Sequence, residues 1–175
     1  MSLRNPLKRG VEVPGDVAAR AGLGRGEKVL AGAETGDGTW LIGTRDALLI
    51  TGPHETRRVP WERVERADWK RDDEQLVVLE VGEFGTPVPR HTLAVTEPGL
   101  LLDLVRERVT ASVVLQRRVP TDGKRGLFVI ARRAPSGTGE ITWAYEFDQG
   151  VDPADPAVKA AAERGLASAR EEIGQ

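Results

Sequence analysis

Few residues of this chain are of the types that carry out chemistry, and they do not group in sequence. Cysteine is absent, and the two histidines are His54, in the segment 52–55, and His91, just ahead of a predicted strand. A zinc site needs three or four converging ligands. Neither histidine has a recognisable triad context, although triads assemble in space and sequence alone leaves one open. We therefore predict no catalytic residue, no metal site and no cofactor.

Two other sequence patterns have residue types found in ligand-binding motifs. The densest acidic cluster lacks the sixth-position glycine and distal glutamate of an EF-hand; its members are Glu146, Asp148, Asp152 and Asp155. The glycine-rich run 22–28 has Glu27 where a phosphate-binding loop needs Lys after Gly, and Val29 where it needs Ser or Thr. Neither pattern predicts a site, and Asp155 is better explained as a helix cap.

Basic residues form one candidate surface late in the chain. Its members are Arg117, Arg118, Lys124, Arg125 and Arg132. Arg117 and Arg118 are expected at the end of a helix, where cations complement the dipole without a ligand. Arg132 is followed by Arg133, and adjacent strand residues face opposite sides. We expect a solvated or salt-bridged surface here in preference to a nucleic-acid site.

Composition excludes several classes of function. The 175 residues are 39% hydrophobic and 30% charged, with a formal net charge of -2, which is ordinary for one globular protein and not typical of a dedicated polyanion binder. No apolar run reaches the roughly 20 residues that span a bilayer, and the first residues lack the apolar core of a signal peptide. The expectation is a cytoplasmic protein without membrane insertion.

Alternating apolar residues and turn chemistry predict an α+β chain. Seven strands are expected near 28–34, 39–43, 46–51, 56–60, 63–70, 75–82 and 90–95. Before them, Asp16 is expected to cap a short helix over 17–21. After them, an amphipathic helix of about five turns is expected from Glu97-Pro98 to Leu115, with Leu101 and Val105 on its apolar face.

The last part of the chain predicts two strands and a helix. One strand covers 127–133, and a second has an apolar face made by Ile141, Trp143, Tyr145 and Phe147. A helix starts at Asp155-Pro156 and carries a stripe of small residues. That helix could cover the apolar strand face within one chain, or a second copy could do so in a homodimer.

Seven strands followed by one helix, with the runs 26–31, 37–48 and 59–64, resemble pleckstrin-homology-like (PH-like) proteins of actinobacteria. The resemblance covers about residues 27–118. It implies a strongly bent antiparallel sheet, or partly open barrel, of about seven strands capped by one amphipathic helix. It implies a scaffold that binds peptides, proteins or lipid headgroups. Here Asp37 occupies the first hairpin turn, where lipid-binding members carry Lys and Arg, so headgroup recognition is discounted.

A second, local resemblance lies at the start of the chain. The run 11–17, followed by 22–29, is similar to the short motif of swapped-hairpin transition regulators that bind DNA. The basic residues available to such a motif are Lys8, Arg9, Arg20 and Arg25. Any strand, one-turn helix and return strand converges on similar residues, so DNA binding is the less favoured interpretation.

These observations predict three segments and two functions. The segments are an N-terminal segment 1–26 with a short helix, a PH-like domain 27–118, and a strand-strand-helix extension 119–175. The favoured function is a non-enzymatic binding or scaffold module with an unidentified protein partner. The alternative is nucleic-acid binding through Arg117, Arg118, Lys124 and Arg125, or through the segment 11–28. An enzyme with a carboxylate site has no positive support in the sequence.

Overall fold

The computed structural model describes residues 12–175, which form an α+β fold of three antiparallel sheets and three α-helices. The first helix, α1, spans Gly15–Arg20. Asp16 was predicted to cap it, but Pro14 holds the N-cap position and no side chain caps the helix. Asp16 lies inside the first turn and pairs with Arg20 one turn later. The N-terminal residues 1–11, including Lys8 and Arg9, lie outside the described residues.

The first sheet has four strands in the order β1-β2-β3-β4. They are β1 (Ala31–Glu34), β2 (Trp40–Gly43), β3 (Ala47–Thr51) and β4 (Thr56–Pro60). Between β1 and β2, Asp37 accepts a hydrogen bond from the Thr39 amide at 3.0 Å, and Gly38 has a φ of 80°. That positive φ suits glycine, which explains the predicted Asp-Gly turn.

The second sheet has three strands in the order β5-β6-β7. They are β5 (Val64–Lys70), β6 (Gln75–Glu80) and β7 (Arg90–Ala94). All seven predicted strands are present, but they form two sheets and not one continuous sheet. The break falls after Pro60, where a single 3-10 turn, Trp61–Arg63, separates β4 from β5. The Trp61 side chain is fully buried, and its indole donates to the Thr44 carbonyl at 3.1 Å.

The second helix, α2, covers the core between the two sheets and is shorter than predicted. It spans Leu100–Ala111, 12 residues or about three turns. Leu101 and Val105 are buried in the core, as predicted. The helix ends because Ser112 closes its last turn and the chain becomes extended at Val113.

The third sheet has the order β10-β9-β8. Its strands are β8 (Val113–Pro120), β9 (Gly126–Arg132) and β10 (Thr142–Phe147). The predicted boundary at residue 118 therefore falls inside β8, which pairs with β9 along its length.

The last helix, α3 (Pro156–Glu172), covers one face of the third sheet. Asp155 caps it, as predicted, by accepting from the Ala157 amide at 2.8 Å. Trp143, Tyr145 and Phe147 pack into the same core cluster as the buried stripe of α3. Phe84 of the β6–β7 loop also packs edge-on against Tyr145 and Phe147, so the helix and this loop together leave the apolar strand face half-buried within the chain. Among the described residues, no helix is both long and apolar enough to span a bilayer.

Candidate functional site

The basic surface predicted from sequence is divided among structural contacts. Arg117 and Arg118 lie on β8, so their predicted position at a helix end is wrong. Arg117 pairs with Glu172 of α3 at 2.8 Å. Arg118 pairs with Asp148 at 2.7 Å, donates to the Lys124 carbonyl, and lies over the Phe128 ring. These contacts hold β8 to the helix and to the end of β10.

Arg132 does not belong to any surface, because the residue is only 4% exposed. Its guanidinium donates to the Ser112 hydroxyl at 2.9 Å, to the Val109 carbonyl at 3.3 Å and to the Glu65 carbonyl at 2.8 Å. Burial lowers its pKa, and the Glu65 and Glu146 carboxylates oppose that shift. Arg132 thus joins β9 to the end of α2 and to β5. Within residues 12–175, Lys124 and Arg125 are the members of the predicted set that remain exposed without an ion pair.

The two histidines have different surroundings. His54 is exposed in the β3–β4 loop. His91, on β7, places Nε2 at 2.7 Å from a carboxylate oxygen of Glu80, which also accepts two bonds from Arg57 of β4. Burial raises the pKa of Glu80, but the bonds from Arg57 and His91 outweigh it, so the pKa lies below its usual value. This cluster joins the first sheet to the second.

Three of the four carboxylates in the acidic cluster accept hydrogen bonds from nearby groups of the fold. Asp148 accepts from Arg118 and from the Gly126 amide, Asp152 accepts from the Ala154 amide, and Asp155 caps α3. Asp152 and Asp155 also line a small cleft beside α3, and Glu146 lines a larger cleft.

That cleft, of about 440 Å³, lies between β5, the β6–β7 loop and β10. Burial and then the neighbouring Glu146 carboxylate raise the pKa of Glu65, which lines it with Tyr145 and Phe147. A raised carboxyl pKa is shared by functional acids and by acids merely buried beside a like charge. Here burial and the Glu146 charge are sufficient to explain why the pKa of Glu65 is raised, so the shift does not by itself indicate a functional acid.

A second cleft, of about 490 Å³, brings together cations from three separate segments, and we call it the basic cleft. Its lining residues are Gly24, Arg25, Gly26, Glu27, Lys28, Leu30, Arg45, Asp46 and Arg58. They come from three stretches of the chain, namely the turn after α1 with the extended segment leading into β1, the β2–β3 corner, and β4. Four cations and two carboxylates leave an excess of two positive charges.

The floor of the basic cleft is built around Glu27, whose side chain is only 5% exposed. Both carboxylate oxygens accept from Arg58, at 2.8 and 3.0 Å. The Thr44 hydroxyl and the Gly24 amide donate to the same carboxylate, at 2.5 and 2.9 Å. The Arg58 bonds, with those from Thr44 and Gly24, lower the pKa of Glu27 to about 2 against the effect of burial. The carboxylate therefore stays ionised and holds the three segments in place.

The rim of the basic cleft carries groups that this network does not use. Arg45 pairs with its neighbour Asp46. In the described part of the chain, Arg25 and Lys28 have no ion-pair partner and both are exposed. Leu30 is 46% exposed, and among residues 12–175 it shares this exposure only with Val114 among the large apolar side chains. The cleft therefore presents unpaired cations beside an apolar side chain.

Sequence reasoning did not find the basic cleft. Arg25 and Lys28 were noted only as parts of the DNA-binding resemblance and of a rejected phosphate loop. Glu27, which excluded the phosphate loop, is the residue that organises the cleft. The usable signal was the exposed alternation of Lys28 and Leu30 around the half-buried Val29.

Comparison of this chain with protein-family models, curated proteins and solved structures returned no match.

Proposed function

We propose that this chain is a non-enzymatic binding module that holds a protein partner in the basic cleft, which the turn after α1 forms with a PH-like domain made of the first two sheets and α2. The order of seven strands and then a helix supports the PH-like assignment, as does one core shared by two sheets and covered by α2. The single observation that carries the function is the pair of unpaired cations beside an exposed leucine, above a floor that is hydrogen-bonded around Glu27.

The construction of the cleft favours binding over catalysis. The lowered pKa of Glu27 keeps its carboxylate ionised and bonded to Arg58, so it is a poor proton donor near neutral pH, and Asp46 is paired with Arg45. A preformed floor also lowers the ordering cost that a partner must overcome.

The cleft also suits a protein better than a nucleic acid. The cleft offers two unpaired cations, Arg25 and Lys28, which are too few to follow a continuous phosphate backbone. The lining includes no aromatic ring on which a base could stack, whereas single-strand binders rely on such rings. Leu30 gives an apolar contact that protein interfaces use.

Affinity capture from a lysate of the source organism tests this function. The chain is immobilised and washed at low and at high salt, and retained protein and nucleic acid are both quantified. We expect one discrete protein, retained by the unaltered chain and by Lys124→Glu but lost with Lys28→Glu. Lys124 is the matched control because it is also an exposed lysine, on the β8–β9 loop.

Two outcomes overturn the proposal. Retention of the same protein by Lys28→Glu places the interface elsewhere. Nucleic acid that is released by salt, and lost with Lys124→Glu or Arg125→Glu, replaces the proposal with the nucleic-acid alternative, since phosphate contacts depend strongly on salt.

A further inference from the structure

The basic cleft contains enough detail to specify the chemistry of its ligand, on the premise that it is the protein-binding site proposed above. Lys28 and Leu30 are both exposed and both line the cleft. Val29, between them, packs against a hydrophobic cluster that contains Trp40 and Ile42. This alternation is typical of an extended segment. The segment leads directly into the first sheet, because the Leu30 amide donates a hydrogen bond to the Gly43 carbonyl at 2.9 Å. The two side chains therefore project on one side, about 6–7 Å apart along the chain.

We infer that the basic cleft binds an extended acidic peptide segment in which a carboxylate and a branched apolar side chain stand two positions apart. An extended ligand has the same side-chain repeat as the segment 28–30. Its carboxylate meets Lys28 while its apolar side chain covers Leu30.

Charge complementarity selects an acidic ligand over a basic or neutral one. The carboxylates that line the cleft already have partners, since Glu27 is bonded to Arg58 and Asp46 to Arg45. A basic side chain would displace an arginine to bind, whereas a carboxylate displaces nothing at Lys28 or at Arg25. Arg25 lies on the same rim and can take a second carboxylate of the ligand.

The remaining exposed cations do not offer the same combination. Arg125 lines the small cleft beside α3, whose larger apolar residues Val151 and Val158 pack into the α3 core, and Lys124 is not among the residues that line that cleft. Val114 is as exposed as Leu30, at 46%, but it faces outward from β8 between Val113 and Leu115. Val114 and Lys124 are therefore matched controls for the apolar and the cationic half of the site.

Synthetic peptides test the inference by nuclear magnetic resonance titration of the full chain. The probe is Ac-Gly-Ser-Glu-Ser-Leu-Ser-Gly-amide, and its controls carry Lys for Glu, Ser for Leu, or Glu and Leu adjacent. We expect amide shifts confined to 24–30, 45–46 and 58. We expect binding about five-fold weaker for each control peptide and for Lys28→Glu or Leu30→Ser, and unchanged for Lys124→Glu and Val114→Ser.

The inference is overturned by shifts centred on another surface, by equal binding of the adjacent-residue peptide, or by equal binding to Lys28→Glu and Leu30→Ser. A single-stranded oligonucleotide that shifts the same amides more strongly than the peptide also overturns it. If a cellular protein is captured through Lys28 but the peptide fails, only the ligand chemistry is wrong; if neither binds, the proposed function fails as well.

Discussion

Replacing Arg132 with alanine should lower the stability of the whole fold, because its guanidinium joins three elements. β5 has an irregular register between Val64 and Arg66, so Glu65 is a bulged residue whose carbonyl is released from regular pairing. Arg132 donates to that carbonyl at 2.8 Å and to the Ser112 hydroxyl at 2.9 Å. A longer bond reaches the Val109 carbonyl near the end of α2.

The magnitude follows from these bonds and from burial. Hydrogen bonds from a charged donor contribute about 1.5–3 kcal/mol each, before the cost of burying the guanidinium is subtracted. With the packing of the side-chain stem included, we expect Arg132→Ala to lower the free energy of unfolding by about 3 kcal/mol. Arg132→Met keeps most of the stem and removes the buried charge, so we expect a loss of about 1 kcal/mol.

Urea unfolding followed by tryptophan fluorescence and circular dichroism measures both losses. With a slope near 2 kcal/mol per M, Arg132→Ala should unfold at a urea concentration about 1.5 M lower than the unaltered chain. Arg117→Ala is the matched control, since it breaks a partly exposed pair with Glu172 and should cost less than about 1 kcal/mol. An Arg132→Ala midpoint equal to that of Arg117→Ala would refute the reasoning.

Three further predictions concern other contacts. The pKa of Glu27 is lowered to about 2 from 4.5, so its stabilisation is full above pH 4.5 and is lost as the pH falls toward 2. In Glu27→Gln, the free energy of unfolding measured by urea titration should therefore fall less between pH 4.5 and pH 2 than in the unaltered chain. An unchanged dependence on pH would contradict the lowered pKa of Glu27. Arg57→Ala should cost about 2 kcal/mol at pH 7, because it leaves the buried Glu80 carboxylate with His91 alone, and adding Glu80→Gln should recover part of that loss. A double variant less stable than Arg57→Ala alone would show that the charge is not the cause. Gly165→Ala should lower the melting temperature despite a gain of about 1 kcal/mol in helix propensity, because the new Cβ would overlap Val119 of β8; a raised melting temperature contradicts that packing.

The strands were predictable because their signals are local. Alternating apolar residues and turns such as the one around Asp37 and Gly38 depend on neighbours within a few positions. The end of α2 was not predictable from sequence, because two patterns overlap there. A helical spacing continues through Leu101, Val105, Ser112 and Leu115, while the run from Val113 onward also alternates with period two. Packing against β9 decided between the two patterns, and that partner lies beyond a turn.

The functional surfaces were less predictable because they depend on partners distant in sequence. Arg117 is paired with a carboxylate 55 positions away and Arg118 with one 30 positions away, so a linear count of cations overstated their availability. The basic cleft depends on Arg58 reaching Glu27 across 31 positions. Nothing in the local pattern of either residue indicates that contact.

The single residue between α2 and β8 has a consequence for how the chain folds during synthesis. Ser112 closes the helix and is followed at once by the strand, so no linker separates the parts that complete at different times. The first two sheets and α2 are complete once residue 112 has left the ribosome, while β8 must wait as an unpaired strand for β9 to emerge. Unpaired strands recruit other chains, and charged residues at their edges discourage this. We expect the charges of Arg117 and Arg118 on β8 to disfavour such pairing until Glu172 and Asp148, their partners in the folded chain, have been synthesised.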